Sequence, residues 1–325
     1  MKLERTLVAL ALLCFGATGW TQGWSPQRNV EIVAPSAPGG TFDRTARTLE
    51  RLLVANKLVN APITVVNKPG AGQSIAISYV GQRPGDGHTL MVFGPALLAN
   101  HIMGSSPLNY ADFTPIASLT NEYIVFSVNA ASTIRTGKDL IERIKKDPKS
   151  VTIGFGTISG SAHITALMLH RAIGGNAKDL KGVTFKGAAD AITSLLGGHI
   201  DLTTTTAGTA APHVEAGRMR VVAVAAPKRL GGALAGIPTW KEQGIDLVSG
   251  NWRGILGPKG LSAAQTAYWE NALRKATETV DWKTDLEKNF WVDDFVTGAQ
   301  FRKDLEKDYA DMKAVLTDLG LAKQQ

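Results

Sequence analysis

Twice in this chain a short β-rich run ends in a glycine-rich loop that opens directly into a helical periodicity, and that repeated unit dictates an α/β fold. In the first copy Val30 to Ala34 reads as a strand and Pro35 to Thr41 as a Gly/Pro loop, and from Asp43 onward Ala46, Leu49, Leu52 and Leu53 recur at helical spacing. Ile63 to Val66 is a second strand, followed by the turn Pro69-Gly70-Ala71-Gly72 and a helical stretch around Ile75 to Val80; Thr89 to Phe93 is a third, ending at Gly94-Pro95. In the second copy Val151 to Phe155 leads through the Gly156 to Ser161 loop into a helix from about Ala162 to Ile173, with a further strand at Val221 to Ala225. Such alternation predicts a parallel sheet with crossover helices. Two amphipathic surface helices, Ala263 to Leu286 and Ala299 to Leu319, close the chain. Tyr123 to Val128 and Leu247 to Leu256 are apolar runs between the α/β blocks, placed where a chain would cross between two domains.

The length of 325 residues suits two domains or one large unit. Lys2 and Arg5 precede an apolar run from Thr6 to Ala17, with small residues Ala17 and Gly19 at the −3 and −1 places of a cleavage site, so residues 1–19 read as a secretory signal peptide. The run is too short to cross a bilayer of about 30 Å as a helix. Its Cys14 is the only cysteine, so cleavage leaves a chain without disulfides, thiolate metal sites or a cysteine nucleophile. The net charge of +7 is spread along the chain and points only weakly to an anionic ligand.

The loop Pro35-Ser36-Ala37-Pro38-Gly39-Gly40-Thr41-Phe42-Asp43 allows close backbone approach and ends at a helix N-terminus, which suits a carboxylate or phosphate; equally, the glycines only turn the chain while Thr41 or Asp43 caps the helix. A second loop, Gly154 to His163, brings the hydroxyls of Thr157, Ser159 and Ser161 to the next such position, with capping by Ser159 or Ser161 as its alternative. Gly94-Pro95 is a third loop at the same edge. Ligands of parallel α/β sheets bind at the carboxyl ends of strands, where all three lie.

Catalytic patterns are poor. Gly154-Phe155-Gly156 fails as a dinucleotide fingerprint because the third glycine falls one place late at Gly160. No Walker-type lysine follows a glycine loop, and G-x-S-x-G is absent, with Ile158 at the central place. His163 and His170 are about two helical turns apart, roughly 10 Å, beyond one shared metal; His88, His101, His199 and His213 are isolated in sequence. No metal, cofactor or nucleic-acid partner is expected, since the basic stretch Arg143 to Lys149 reads as a solvated helix end without interleaved aromatics.

The P-G-G-T-F-D loop and the loop Gly154-Phe155-Gly156-Thr157-Ile158-Ser159-Gly160-Ser161-Ala162-His163 resemble those of the solute-binding proteins of tripartite tricarboxylate transporters, the Bug family. Matching stretches continue in order at Val66 to Gly72, Pro84 to Leu90, Phe185-Lys186-Gly187, Leu195 to Leu202 and Ile237-Pro238-Thr239-Trp240. The resemblance implies a periplasmic binding protein of type II architecture: two α/β domains joined by a double crossover and closing on a small carboxylate, domain 1 from 24–124 plus 249–325 and domain 2 from 125–248. It implies Gly39, Gly40, Thr41 and Asp43 as one wall of the cleft and Thr157, Gly160, Ser161 and His163 as the other, with Gly94, Pro95 and Thr205 beside them. The implied partners are integral-membrane transporter subunits or a sensor kinase, and the chain is expected to be a monomer.

Members of that family usually carry Phe where Ser36 stands, a hydroxyl-rich turn at Gly94-Pro95-Ala96, and an aromatic-Asp pair where this chain has Thr204-Thr205. These departures imply a ligand with an apolar or aromatic body and a carboxylate rather than an amino acid. An exported serine hydrolase using Ser161 is the alternative, weakened by the lack of a positioned base and acid; a structural envelope protein whose glycine loops are only turns is another.

Overall fold

The computed structural model of the chain describes residues 23–323 apart from Thr157 and Ser159. The expected signal peptide, with Cys14, therefore lies outside the described residues. In chain order the elements are β1 (Val30–Ala34), α1 (Thr41–Ala55), β2 (Ile63–Asn67), α2 (Ser74–Gly81), β3 (Thr89–Phe93), α3 (Pro95–Ile102) and β4 (Phe113–Asn121). There follow β5 (Ile124–Asn129), α4 (Gly137–Lys146), β6 (Ile153–Phe155), α5 (Ser161–Ala172), β7 (Gly182–Thr184), α6 (Ala188–Leu196), β8 (Leu202–Thr206), α7 (Ala207–Glu215) and β9 (Met219–Val224). The chain ends with β10 (Arg253–Pro258), α8 (Ala263–Thr277), α9 (Val280–Asn289), β11 (Val292–Thr297) and α10 (Gly298–Asp318).

Two sheets result, ordered β2-β1-β3-β10-β4-β11 and β7-β6-β8-β5-β9. The expected α/β class holds, but neither sheet is purely parallel. β1 pairs in parallel with β2 and β3, and β6 with β7 and β8, whereas β10, β4 and β11 in the first sheet and β5 and β9 in the second run antiparallel to their neighbours. Each sheet thus reverses its strand order at one strand, β1 or β6, and these are the two strands followed by the glycine loops. Burial follows the pleat: Val30, Ile32 and Ala34 face one core while Val33 faces another, so the first sheet carries apolar cores on both sides. The second sheet does the same, with Ile124, Phe126 and Val128 on one side and Val125 on the other.

The Tyr123 to Val128 run is β5 itself, a strand buried in the second sheet; the chain crosses at Glu122 and Tyr123, just before it. The return crossing lies ahead of β10, and the two passages are bonded together: Asn251 N–H donates to the Glu122 carbonyl at 2.9 Å and Ile124 N–H to the Ser249 carbonyl at 3.3 Å. The C-terminal region also differs from two long helices. Thr279 interrupts the first, its hydroxyl accepting from Trp282 N–H at 3.2 Å to start α9 as a separate helix. β11 then adds an edge strand whose two aspartates and half-exposed residues hide its period. α10 packs Phe301 and Leu305 on the first sheet, and its far half shares a core with Ile164 and Leu167 of α5, so it spans from one sheet to the other.

Candidate functional site

At the end of β1 the chain turns sharply. Gly39 has φ +80, a conformation that side-chain-bearing residues rarely adopt, and its N–H donates to Asp43 Oδ2 at 2.8 Å. Gly40 is the N-cap of α1 without a side-chain cap bond, and a Cβ there would lie 2.8 Å from Ser36 Oγ. That hydroxyl accepts the Asp43 N–H at 3.2 Å, and Asn67 Nδ2 donates to both the Ser36 carbonyl and Asp43 Oδ1. Neither Thr41 nor Asp43 therefore caps α1 in the expected manner. Asp43 is 2% exposed and its carboxylate is turned into the loop; burial raises its pKa, but the bonds from Gly39, Asn67 and Arg47 outweigh that and hold it below the usual carboxylate range. The N–H groups of Thr41 and Phe42, in the first turn, have no partner within the helix.

The loop after β6 repeats the arrangement. Gly160 is the N-cap of α5, again without a side-chain cap bond, so Ser161 does not cap this helix either. The Ser161 hydroxyl instead faces Asn251 Oδ1 in the return crossing at 3.5 Å. A Cβ on Gly156 would come within 2.6 Å of the Ala188 amide nitrogen, which shows how closely this loop passes the start of α6. His163 is buried and stacked on Phe155 at 4.2 Å, and burial pushes its pKa down to about 4, so at neutral pH it carries no charge. Thr205 is buried within β8 opposite Val125. Thr157 lies outside the described residues. Elsewhere α4, α8 and α9 begin with the side-chain caps Thr136, Ser262 and Thr279, whereas α10 starts after Thr297 without one.

Gly94 opens α3 with Pro95 at its first position, and a Cβ on Gly94 would stand 2.8 Å from the Trp252 carbonyl and 3.4 Å from the Phe42 ring. Pro95 and Ser161 line one cavity of about 90 Å³ together with Asn121, Ile164, Gly250 and Trp252. The structure thus brings Pro95 of the first sheet and Ser161 of the second together beside the crossing, with Gly39, Gly40, Thr41, Gly94 and Gly160 at the carboxyl edges of their sheets.

Sequence reading passed over the residues on the crossing itself. Trp252 Nε1 donates to Asp308 Oδ2 of α10 at 2.8 Å, and burial pushes Asp308 up to about 6. Arg253 is 3% exposed; its Nη1 donates to the carbonyls of Asn251 and Trp252, and its guanidinium lies 5.0 Å from the Phe42 ring. Burial lowers its pKa to about 10, which leaves it charged at neutral pH. Glu122 is raised by burial, against which a Thr206 side-chain bond and the charges of Arg253 and Arg44 act. A single arginine in an apolar strand has no sequence pattern of its own, although a charge at Arg253 between Trp252 and Gly254-Ile255-Leu256 is an anomaly that periodicity exposes. Among the described residues no group of three His, Cys, Asp or Glu could hold a metal ion.

The family profile described as tripartite tricarboxylate transporter family receptor, TctC, matches residues 46–321. The UPF0065 protein in gbd 5'region of Cupriavidus necator is 27% identical over 303 residues, covering 92% of this chain and 90% of that one. A TctC solute binding protein from Polaromonas, solved without ligand, has the same fold with a TM-score of 0.81 at 26% identity, over 90% of this chain and 99% of its own. An R. palustris protein solved with adipate also shares the fold, with a TM-score of 0.71 at 24% identity over 91% of this chain and 99% of that one. The matched family is one of receptors and the Polaromonas protein is a solute-binding protein, which disfavours the serine hydrolase. With two sheets, a double crossing and the matched profile in place, the chain belongs to the tripartite tricarboxylate transporter family of receptors, the Bug-type solute-binding proteins that its loops resemble.

Proposed function

We propose that the chain works in the periplasm, captures a small carboxylate between its two sheets and delivers it to a membrane transporter. The observation that carries this reading is the symmetry of the two switch-point loops. Each follows the strand at which its sheet reverses order, each ends on a glycine N-cap with no side-chain bond, and both lie beside the same crossing. Two helix N-termini, each equivalent to roughly half a positive charge, suit a carboxylate without a cationic side chain.

In this reading residues 24–124 and 249–325 form one domain and 125–248 the other, with the bonded passages at Glu122-Tyr123 and Ser249 to Asn251 as the hinge. Gly39, Gly40 and Thr41 present one wall; Gly160 and Ser161 present the other, with His163 and Thr205 behind it, and the family resemblance assigns Thr157 to this second wall. Asp43 shapes the first wall from within. Phe42, Gly94 and Pro95 offer an apolar surface to the ligand body. Adipate bound to a protein of the same fold is in keeping with a carboxylate ligand.

A thermal-shift screen of the mature chain against mono-, di- and tricarboxylates, aromatic acids and amino acids tests the reading, since a ligand that binds only the folded state raises stability by RT ln(1 + [L]/Kd). A shift confined to carboxylates and weakened by Ser161→Ala is expected. Silence across the panel, or shifts indifferent to Ser161, would move the function elsewhere.

A further inference from the structure

Where α10 covers the first sheet beside the crossing lies a cavity of about 350 Å³ that carboxylate capture does not use. Tyr123, Trp252 and Phe301 supply aromatic walls, while Asp294 of β11 and Asp304 and Asp308 of α10 supply three carboxylates. Two lysines reach its rim, yet each is held by an acid outside these three: Lys241 Nζ lies 3.1 Å from Asp246 Oδ1, and Lys307 Nζ lies 2.6 Å from Asp311 Oδ2. Among the described residues Asp294, Asp304 and Asp308 form no ion pair, and their hydrogen-bond donors are the neutral side chains of Asn121, Gln300 and Trp252. Burial and the charges of Asp304 and Asp293 raise the pKa of Asp294 against the Asn121 bond, and burial raises Asp308 to about 6 although Lys307 acts against it. The walls therefore carry negative charge that no neighbouring side chain balances.

Asn121 points to the same kind of occupant. It is 8% exposed and lines the cavity, its Nδ2 is turned to Asp294 Oδ2 at 3.5 Å, and its Oδ1 is buried with no hydrogen-bond partner. A buried amide oxygen in that state costs free energy until a donor reaches it. A metal ion is a poor match, because no three acids among the described residues converge closely enough to hold one. Carboxylates spread over a wall, with aromatic rings between them and an acceptor short of a donor, suit an alkylammonium ion instead.

We propose that this cavity is a second binding site, which takes a small aliphatic ammonium ion. Asp294, Asp304 and Asp308 compensate its charge, Asn121 Oδ1 accepts one of its N–H groups, and Tyr123, Trp252 and Phe301 pack its chain. Asn121, Trp252 and Asp308 also line the smaller cavity beside Ser161, so the site adjoins the carboxylate cleft; Asp294 and Asp304 line only the larger one.

Calorimetric titration of the mature chain with butylammonium, at constant ionic strength, tests the site against the neutral butan-1-ol and against tetramethylammonium, which has no N–H to donate. Butylammonium is expected to bind saturably at one site, tetramethylammonium more weakly, and butan-1-ol not at all. Asp294→Asn and Asp304→Asn should each weaken butylammonium by about fivefold or more, as loss of a charge-assisted partner predicts. Asp304 is exposed, so Asp304→Asn decides should Asp294→Asn fail to fold. The same Asp304→Asn variant should bind any carboxylate found in the thermal-shift screen within twofold of the parent, which separates this site from the cleft. No saturable butylammonium binding, equal binding of butan-1-ol, or an affinity untouched by both variants overturns the ammonium site and leaves carboxylate capture standing.

Discussion

The carboxylate of Asp43 reaches back four residues to accept the Gly39 N–H at 2.8 Å, closing the loop from the inside. Asn67 Nδ2 at 2.8 Å and Arg47 Nε at 3.0 Å complete its partners, so one buried acid fixes the strand, the loop and the helix start together. Its removal leaves the Gly39 amide without its acceptor and Asn67 Nδ2 with the Ser36 carbonyl alone. Asp43→Ala is therefore expected to cost about 1–3 kcal/mol, measured by denaturant unfolding. The folded pKa lies below the ordinary value, so this contribution is complete above about pH 4 and is lost as pH falls through the depressed folded pKa. A variant as stable as the parent at pH 7 would show that the loop holds itself.

Gly94 makes a different demand. Its φ of −163 is open to any residue, but a Cβ would stand 2.8 Å from the Trp252 carbonyl, a backbone atom fixed by the return crossing. Gly94→Ala must push β10 away from the end of β3, at a cost of about 1–3 kcal/mol. Because the same Cβ meets the Phe42 ring at 3.4 Å, ligand affinity should fall as well. Thermal unfolding and titration of one variant check both effects.

How much of this was legible beforehand follows from the physics of each element. β1 and β3 were readable to the residue, because continuous apolar runs bounded by Gly and Pro leave little choice. The two glycine loops were legible as turns opening into helices for the same reason. β11 was not, since an edge strand written Val292-Asp293-Asp294-Phe295-Val296-Thr297 buries too little to show a period. The break at Thr279 was hidden inside a charged helical pattern that continues on both sides. Arg253 escaped because its significance lies in what surrounds it, Phe42 and Glu122, which are distant in sequence.

The second wall should respond to hydroxyl loss but not to pH near neutrality. Ser161→Ala removes a donor at the α5 N-terminus, and loss of a bond to a charged acceptor should weaken ligand binding by about 1.5–3 kcal/mol. His163 remains neutral down to about pH 4, so affinity should be flat between pH 6 and 8. Its effect falls on stability instead. The folded pKa is depressed, so the unfolded chain takes up the extra proton and stability declines as pH drops from about 6.5 toward 4. Melting curves across that range on His163→Gln and the parent check the decline.

Asp308 tests the crossing from the opposite side. Burial raises its folded pKa to about 6, while the bond from Trp252 Nε1 and the charge of Lys307 act against the rise. For an acid with a raised folded pKa, the native state binds more protons than the unfolded one between about pH 4 and 6. Stability therefore falls as pH rises through that window and stays reduced above it. Asp308→Asn keeps an oxygen to accept from Trp252 and removes the buried charge, so it should raise stability at pH 7 to 8 by about 1–2 kcal/mol and give no gain near pH 4. Melting temperature followed from pH 4 to 8 should show the variant and parent curves converging at the acid end. Parallel curves would mean that Asp308 is solvated well enough to ionise freely beside Trp252.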